Sequence, residues 1–280
     1  MIRASFLIFA LLLYAEAKII VAVSVSPQAW LANQIGGDRI ETLIILPANA
    51  SPHVYEPKVS HMIKLAKASL YLACGVEFEK AWLKRFAQNA PNMQIVYTDR
   101  NVTKLTLLPF ADENRTRRRE AVDSHIWTSA QAMRSQALAT IDALIAVDSQ
   151  NEKFYRENGA KTIAKIDALR AELTEKLAPY KNRAFLIHHP SLGYFANEYE
   201  LRQIFIEFEG REPKPFELAA IAKIAKDENI TAIFVERGVS PKTARSLGVK
   251  TVEIATIGED WEALMRLVAQ EAIRVFDGGD

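Results

Sequence analysis

Residues 150–177, QNEKFYRENGAKTIAKIDALRAELTEKL, set the architecture of this chain. Apolar side chains recur in this stretch close to the helical period, at Phe154, Ile163, Ile166, Leu169, Leu173 and Leu177. Gly159 is the one internal residue that disfavours a helix. About 28 residues at roughly 1.5 Å each extend about 40 Å, which is enough to cross a whole lobe. The sequence therefore predicts one long helix, which Pro179 and Asn182 end.

Short β-rich runs lie on both sides of this helix. They are residues 18–24, 42–46, 70–74 and 94–97 before it, and 184–187, 232–235 and 251–254 after it. Nearly continuous apolar runs are typical of parallel strands that helices cover on both faces. Segments with a helical pattern alternate with these runs, at residues 28–35, 58–68, 78–88, 215–228, 241–247 and 260–276. The alternation predicts an α/β fold with two doubly wound parallel-sheet lobes joined by one long backbone helix.

The N-terminus has the three parts of a secretory signal peptide. Arg3 is followed by an apolar run over residues 6–14 and then by Ala15-Glu16-Ala17. The run is about half of the ~20 apolar residues that a membrane-spanning helix needs, so we expect cleavage after Ala17 and export to the periplasm rather than a membrane anchor. The predicted division is a signal peptide at 1–17, an N-terminal α/β lobe at 18–149, a linking helix at 150–178 and a C-terminal α/β lobe at 179–280.

Charge and cysteine content limit the classes of partner. The chain has 35 Lys+Arg against 34 Asp+Glu, a net charge of +1, so no global field recruits nucleic acid or an anionic membrane. A single cysteine, Cys74, cannot form an internal disulfide or a four-cysteine zinc module. Histidines and carboxylates would therefore have to bind any metal.

Several of the five histidines lie in loops that follow predicted strands. His53 follows the second run, and His188 and His189 follow the fifth directly. In open parallel sheets, ligands bind beyond the carboxyl ends of the strands, so these imidazoles are expected to face a cleft between the lobes. His125 also lies in a loop. Three histidines with a fourth carboxylate or water complete a zinc site, but the spacing alone leaves open whether a metal binds and whether His188 or His189 takes part.

The fifth histidine, His61, is expected to lie at the surface near the start of a helix, and we leave it out of the site. The other histidines stand in longer motifs: Pro52-His53-Val54-Tyr55-Glu56-Pro57, Asp123-Ser124-His125-Ile126-Trp127-Thr128-Ser129, and His189 six residues before the Phe of Gly193-Tyr194-Phe195. Three later segments accompany them, Phe234-Val235-Glu236, Ser240-Pro241-Lys242 and Glu259-Asp260-Trp261. In this order, and over nearly the entire mature chain, the sequence resembles the metal-binding subunits of bacterial zinc and manganese ABC importers, the ZnuA-like and TroA-like family.

The resemblance implies a metal site in the cleft between the lobes, with His53, His125 and His189 as ligands. Manganese-type members usually carry a carboxylate at the third position, so His189 favours Zn²⁺ over Mn²⁺. The implied function is capture of a divalent ion in the periplasm and its delivery to an ABC permease in the inner membrane, with no chemical reaction. We expect a monomer that does not bind nucleic acid.

Two departures from the family pattern bear on the site. Members usually have an aspartate after the last strand, where this chain has Ala255, so Glu236, His188, water or another group must complete the metal shell. The loop before His125 carries arginines within residues 115–119 instead of a His-rich insert, and these form either a solvated surface or an anion patch.

Two other functions use the same residues. A zinc hydrolase would need a metal-activated water with Glu236 as general base, although the chain has no His-Glu-x-x-His helix and no evident nucleophile elbow. A protein that binds a metal chelate or another organic ligand would line its pocket with the aromatic residues Tyr55, Trp127, Tyr194 and Phe195.

Overall fold

The structure, a computed structural model, describes residues 18–47, 55–107, 121–208, 211–236 and 242–278. The predicted signal peptide, His53, the arginines of residues 115–119 and residues 240–241 of the Ser-Pro-Lys motif lie outside the described residues.

Four strands of the first half form a parallel sheet in the order β2-β1-β3-β4. These strands are β1 (Ile19–Val23), β2 (Ile40–Ile44), β3 (Leu70–Ala73) and β4 (Gln94–Tyr97). The helices between them are α1 (Ser26–Gly36), α2 (Val59–Leu65) and α3 (Glu77–Asn89). All of β3 is buried, as the apolar run predicts for a strand that lies inside a covered sheet. We call the described part of the chain before residue 150 the first lobe.

A short antiparallel pair, β5 (Thr106–Leu107) with β6 (Ala121–Val122), leads from the first sheet to two long helices. These are α4 (Ala130–Val147) and α5 (Glu152–Leu177). The predicted long helix is confirmed, but its α-helical part begins at residue 152, after a 3-10 turn at Ser149–Asn151. The Asp148 carboxylate accepts hydrogen bonds from the Asn151 amide and the Tyr155 hydroxyl, which holds this turn against the helix.

Four of the six residues in the predicted apolar stripe of α5 are buried, and Phe154 and Ile163 are partly buried against the same core. Ile166, Leu169, Leu173 and Leu177 are each at most 1% exposed. Gly159 is compatible with the helix because of its neighbour: a Cβ at this position would lie 2.3 Å from Ile141 Cδ1 on α4. The missing side chain therefore allows α4 and α5 to pack closely.

A second parallel sheet follows α5, with the strand order β10-β9-β7-β8. Its strands are β7 (Ala184–Ile187), β8 (Arg202–Phe205), β9 (Ala232–Val235) and β10 (Lys250–Glu253). The accompanying helices are α6 (Gly193–Glu198), α7 (Pro215–Asp227), α8 (Lys242–Leu247) and α9 (Trp261–Phe276). We call this part the second lobe.

The sequence patterns did not predict β5, β6, β8 or α6, and they gave no range for α4. β8 begins with Arg202 and Gln203, and it lies at the edge of its sheet, where Arg202 is exposed. An edge strand is covered less than the inner strands, so it need not be a continuous apolar run. The six-residue α6 is too short to show a helical period.

The predicted α/β fold, with two parallel sheets and a long helix, is confirmed. One cluster of buried apolar side chains runs from Val21 in β1 through Leu169 in α5 to Phe185 in β7 and Trp261 at the start of α9. The long helix therefore shares one core with both sheets. Among the described residues, no helix combines the length and the apolar character that crossing a bilayer requires.

Replacing Gly159 should test the close packing of α4 on α5. Overpacking costs roughly 1–3 kcal/mol, while the change from glycine to alanine within a helix recovers up to about 1 kcal/mol. We expect Gly159→Ala to lower the free energy of unfolding by about 1 kcal/mol, measured by chemical denaturation. Ile141→Ala removes both of the carbons that the new Cβ would meet at less than 3.0 Å, Cδ1 and Cγ1, so Gly159→Ala should cost less in that background. An equal cost in both backgrounds would contradict the packing argument.

Candidate metal centre

The second lobe places two histidines at the carboxyl edge of its sheet. β7 ends at Ile187, and the next residue donates its N–H to the Phe234 carbonyl of β9 at 2.8 Å. The His188 carbonyl accepts from the Glu207 N–H, also at 2.8 Å, just beyond β8. The chain after β7 therefore leaves the sheet between β8 and β9. His189 follows immediately, and Ser191 N–H donates to the His189 carbonyl at 2.7 Å in the turn that carries this imidazole.

In the first lobe, local hydrogen bonds hold His125 between β6 and α4. Asp123 Oδ1 accepts from the His125 backbone N–H at 2.9 Å, and the Thr128 hydroxyl donates to the His125 carbonyl, also at 2.9 Å. Ser129 then caps α4 by accepting from the Ala132 N–H. Short polar side chains of this kind bond readily to nearby backbone groups, and here they give the loop a defined conformation.

The imidazoles of His125 and His189 meet across the two lobes. Their Nε2 atoms are 3.3 Å apart, and the ring centroids are 5.1 Å apart with the planes inclined at 75°. On the opposite side of each ring, Nδ1 faces a carboxylate: Asp123 Oδ1 lies at 2.8 Å from His125, and Glu207 Oε1 lies at 3.4 Å from His189. A carboxylate partner favours the tautomer that carries its proton on Nδ1, which leaves Nε2 as an acceptor.

Two acceptor nitrogens that face each other need a proton or a cation between them. Nitrogen ligands lie roughly 2.0–2.1 Å from Zn²⁺, so two of them on one tetrahedral ion are about 3.3–3.4 Å apart. The observed Nε2–Nε2 distance of 3.3 Å matches that spacing. The arrangement therefore fits two of the corners of a tetrahedral transition-metal site.

The charged surroundings of His125 favour its protonated form. Burial is the largest single influence and lowers the pKa of this imidazole. The hydrogen bond to Asp123 and the negative charges of Asp123, Glu77 and Glu236 together outweigh burial, so the pKa of His125 is raised above its ordinary value. The same negative field would attract a divalent cation to this point.

The other three histidines have different surroundings. His53 is outside the described residues. His61 Nδ1 lies 3.0 Å from the Tyr55 hydroxyl, and burial together with Lys58 and Lys64 lowers the pKa of His61. His188 is beside two carboxylates, with Nδ1 at 3.8 Å from Glu207 and Nε2 at 3.5 Å from Glu212. Within the described ranges, no group of three or more His, Cys, Asp or Glu side chains is arranged to hold a metal.

Glu236 lies near this pair but does not join it. It follows β9 directly, and its Oε1 accepts a long hydrogen bond of 3.4 Å from the Thr256 hydroxyl. Its charge contributes to the raised pKa of His125, which indicates that the carboxylate faces the same region.

Buried tryptophans connect the loop of His125 to the second lobe. Trp127 Nε1 donates to the Thr256 carbonyl at 2.7 Å, and Trp261 Nε1 donates to the Trp127 carbonyl at 2.6 Å. The Trp261 ring also packs against Trp30 of α1, with centroids 5.1 Å apart. Trp127, Tyr194 and Phe195 are at most 5% exposed, so these aromatic residues pack in the core and do not favour the alternative of an open pocket for an organic ligand.

Sequence reasoning missed the two carboxylates behind the imidazoles. Asp123 was noted in its motif without a role, although an aspartate two residues before a loop histidine is a recognisable signal for an Asx-type turn. Glu207 gave no such signal, because it follows β8, the strand that the pattern did not reveal.

Comparison with known proteins identifies similar chains. The family described as zinc-uptake complex component A, periplasmic (ZnuA), matches residues 21–270. The high-affinity zinc uptake system protein ZnuA of Bacillus subtilis is 24% identical over 254 residues, which cover 86% of this chain and 79% of that protein. A crystal structure of ZnuA has 31% identity and a TM-score of 0.84, covering 92% of this chain and 99% of that one. A zinc-bound ZnuA deletion mutant gives the same identity and TM-score, with 92% and 98% covered.

The pKa of His125 can be tested in the metal-free protein by NMR titration of the imidazoles. We expect His125 to titrate above the usual value of about 6.5. Asp123→Asn should lower the pKa of His125, because it removes the carboxylate charge that offsets the effect of burial. A raised folded-state pKa means that this contribution to stability is complete below about pH 6.5 and is lost as the pH rises through the folded value. His61 serves as an internal control that should not respond. An unchanged pKa for His125 in the variant would contradict this account.

Proposed function

The chain belongs to the ZnuA family of periplasmic zinc-uptake components, and on this premise we propose that it captures Zn²⁺ in the periplasm and delivers it to an ABC permease in the inner membrane. The observation that carries the proposal is the His125–His189 pair, whose Nε2 atoms are 3.3 Å apart with a carboxylate behind each ring. Both rings therefore present to a cation the nitrogen that lacks a proton. The metal is cargo, and the proposal includes no chemical step.

His53 is the proposed third ligand. It follows the carboxyl end of β2 in the sequence, and in open parallel sheets ligands bind beyond the carboxyl ends of the strands. Tyr55, two residues further on, packs its ring on Phe78 with centroids 5.7 Å apart and contacts His61 through its hydroxyl. Tyr55 therefore lies against the start of α3.

Glu236 is our proposal for the fourth position, where relatives carry an aspartate and this chain has Ala255. It stands at the carboxyl end of β9, beside the strand that carries His189, and the Thr256 hydroxyl contacts its carboxylate. His188 is a weaker candidate because both of its ring nitrogens face the carboxylates of Glu207 and Glu212.

The remaining parts of the proposal concern export and assembly. The periplasmic family of the chain supports a signal peptide at 1–17 that is cleaved after Ala17, which N-terminal sequencing of the exported protein would test. The domain boundaries at residues 18–149, 150–178 and 179–280 and the monomeric state are also proposals. Three nitrogen ligands favour Zn²⁺ over the harder Mn²⁺, which prefers oxygen ligands.

Alanine variants of the three proposed ligands test the assignment. We expect His53→Ala, His125→Ala and His189→Ala each to weaken Zn²⁺ binding by at least about 100-fold, because loss of a ligand should exceed the 10–100-fold cost of losing a partner behind a ligand. Competition with a chromophoric chelator gives the dissociation constants. His61→Ala is the matched control and should bind like the parent. Unchanged affinity in all three ligand variants would refute the site, and tighter binding of Mn²⁺ than of Zn²⁺ would refute the metal.

The fourth position requires a separate comparison. Glu236→Gln keeps the size of the side chain and removes its charge, so we expect roughly tenfold weaker Zn²⁺ binding, whereas His188→Ala should change affinity by less than about threefold. X-ray absorption spectra of the zinc-loaded protein report whether an oxygen ligand is lost in Glu236→Gln. The reverse order of effects would assign the position to His188.

A further inference from the structure

Helix α6 belongs to the second lobe but is attached to the first lobe. It begins four residues after His189. The Tyr194 hydroxyl accepts from the Leu105 N–H at 3.2 Å, and the buried Glu198 carboxylate accepts from the Gln131 N–H of α4 at 3.2 Å and from Arg170 Nε of α5 at 2.7 Å. These contacts hold the chain that carries His189 against the lobe that carries His125.

The first residue of α6, Gly193, lies against the Asp123 carboxylate. A Cβ built on Gly193 would lie 2.2 Å from Asp123 Oδ2, a distance that no real side chain could keep. Gly193 does not have the left-handed backbone that favours glycine, so alanine would be acceptable for the backbone itself. A side chain here would instead meet the space that the Asp123 carboxylate occupies.

Asp123 acts on His125 with its other oxygen. Oδ1 accepts from both the backbone N–H and the ring Nδ1 of His125. Oδ2 is buried and, within the part of the chain that the structure describes, has no hydrogen-bond partner. Oδ1 of Asp123 therefore orients the His125 imidazole. Oδ2 lies against the backbone of Gly193, four residues after His189.

We propose that the Asp123–Gly193 contact sets the separation of the two imidazoles, so that both residues are positioning residues for metal capture. The proposal rests on the proposed function, because it assigns the contact to the spacing of two zinc ligands. A side chain at residue 193 would push α6 and the His189 loop away from Asp123, or turn the carboxylate and with it the His125 ring. Either change would separate the two Nε2 atoms from their 3.3 Å spacing.

Gly193→Ala tests this directly, with Gly258→Ala as the matched control. A Cβ at Gly258 would meet only Leu264, at 3.7 Å, which is an ordinary contact. We expect Gly193→Ala to weaken Zn²⁺ binding by about 10–100-fold, the usual effect of disturbing the support of a metal ligand, and Gly258→Ala to change it by less than about threefold. Gly193→Ala with affinity within threefold of the parent would overturn the proposal.

A double-mutant cycle separates this contact from general damage to the fold. Asp123→Ser removes the clashing oxygen and will itself weaken binding, but Gly193→Ala added to it should then cost less than about threefold. An undiminished cost in the Asp123→Ser background would mean that Gly193 acts elsewhere, and the proposal would fail.

Two readouts do not depend on zinc affinity. In the metal-free protein, ¹H–¹⁵N spectra of the imidazoles should show the Nδ1-protonated tautomer of His125 in the parent and a mixture in Gly193→Ala, and a crystal structure should show a longer Nε2–Nε2 distance. Unchanged spectra and distance would overturn the proposal. If the parent protein itself does not bind Zn²⁺, the proposed function fails. If the parent binds and the histidine variants do not, while Gly193→Ala binds normally, only this inference fails.

Discussion

The central contact of the structure is the one between the imidazoles of His125 and His189, which come from the two lobes. Their Nε2 atoms are 3.3 Å apart, and a carboxylate faces each Nδ1. The carboxylates direct both acceptor nitrogens toward the same point, where the pair is unfavourable unless a proton or a cation lies between them. An arrangement that is stabilised by a cation is what a protein that captures a metal requires.

Packing and hydrogen bonds elsewhere in the fold hold the His125 and His189 imidazoles at this distance. The long helix α5 shares one buried core with both sheets, and the indole groups of Trp127 and Trp261 form hydrogen bonds between the lobes close to His125. Helix α6 adds contacts through Tyr194 and Glu198. Because these contacts lie on several sides of the site, the lobes are held together by more than the helix that connects them, and wide hinge closure is not favoured.

Individual strands and residues show which features could be predicted from the sequence. β7 and β9 were predicted to the residue because inner parallel strands must be apolar throughout. β8 was missed because an edge strand tolerates Arg202 and Gln203, and Glu207 was missed with it. The interval between His125 and His189 in the sequence contains no information on their contact, since it is set by packing of the lobes. In the sequence, Gly159 disfavours the long helix. Its presence there is explained only by its contact with Ile141 on α4.

The sequence by itself determined the α/β class, the long helix, the two sets of strands and the histidine-bearing loops, because each depends on periodicity or on neighbours within a few residues. Tertiary structure decided which imidazole nitrogens face each other, that His188 faces Glu207 and Glu212, and why residue 193 is glycine. These features depend on distances between segments far apart in the chain, and such distances arise only when the two lobes pack around their common core.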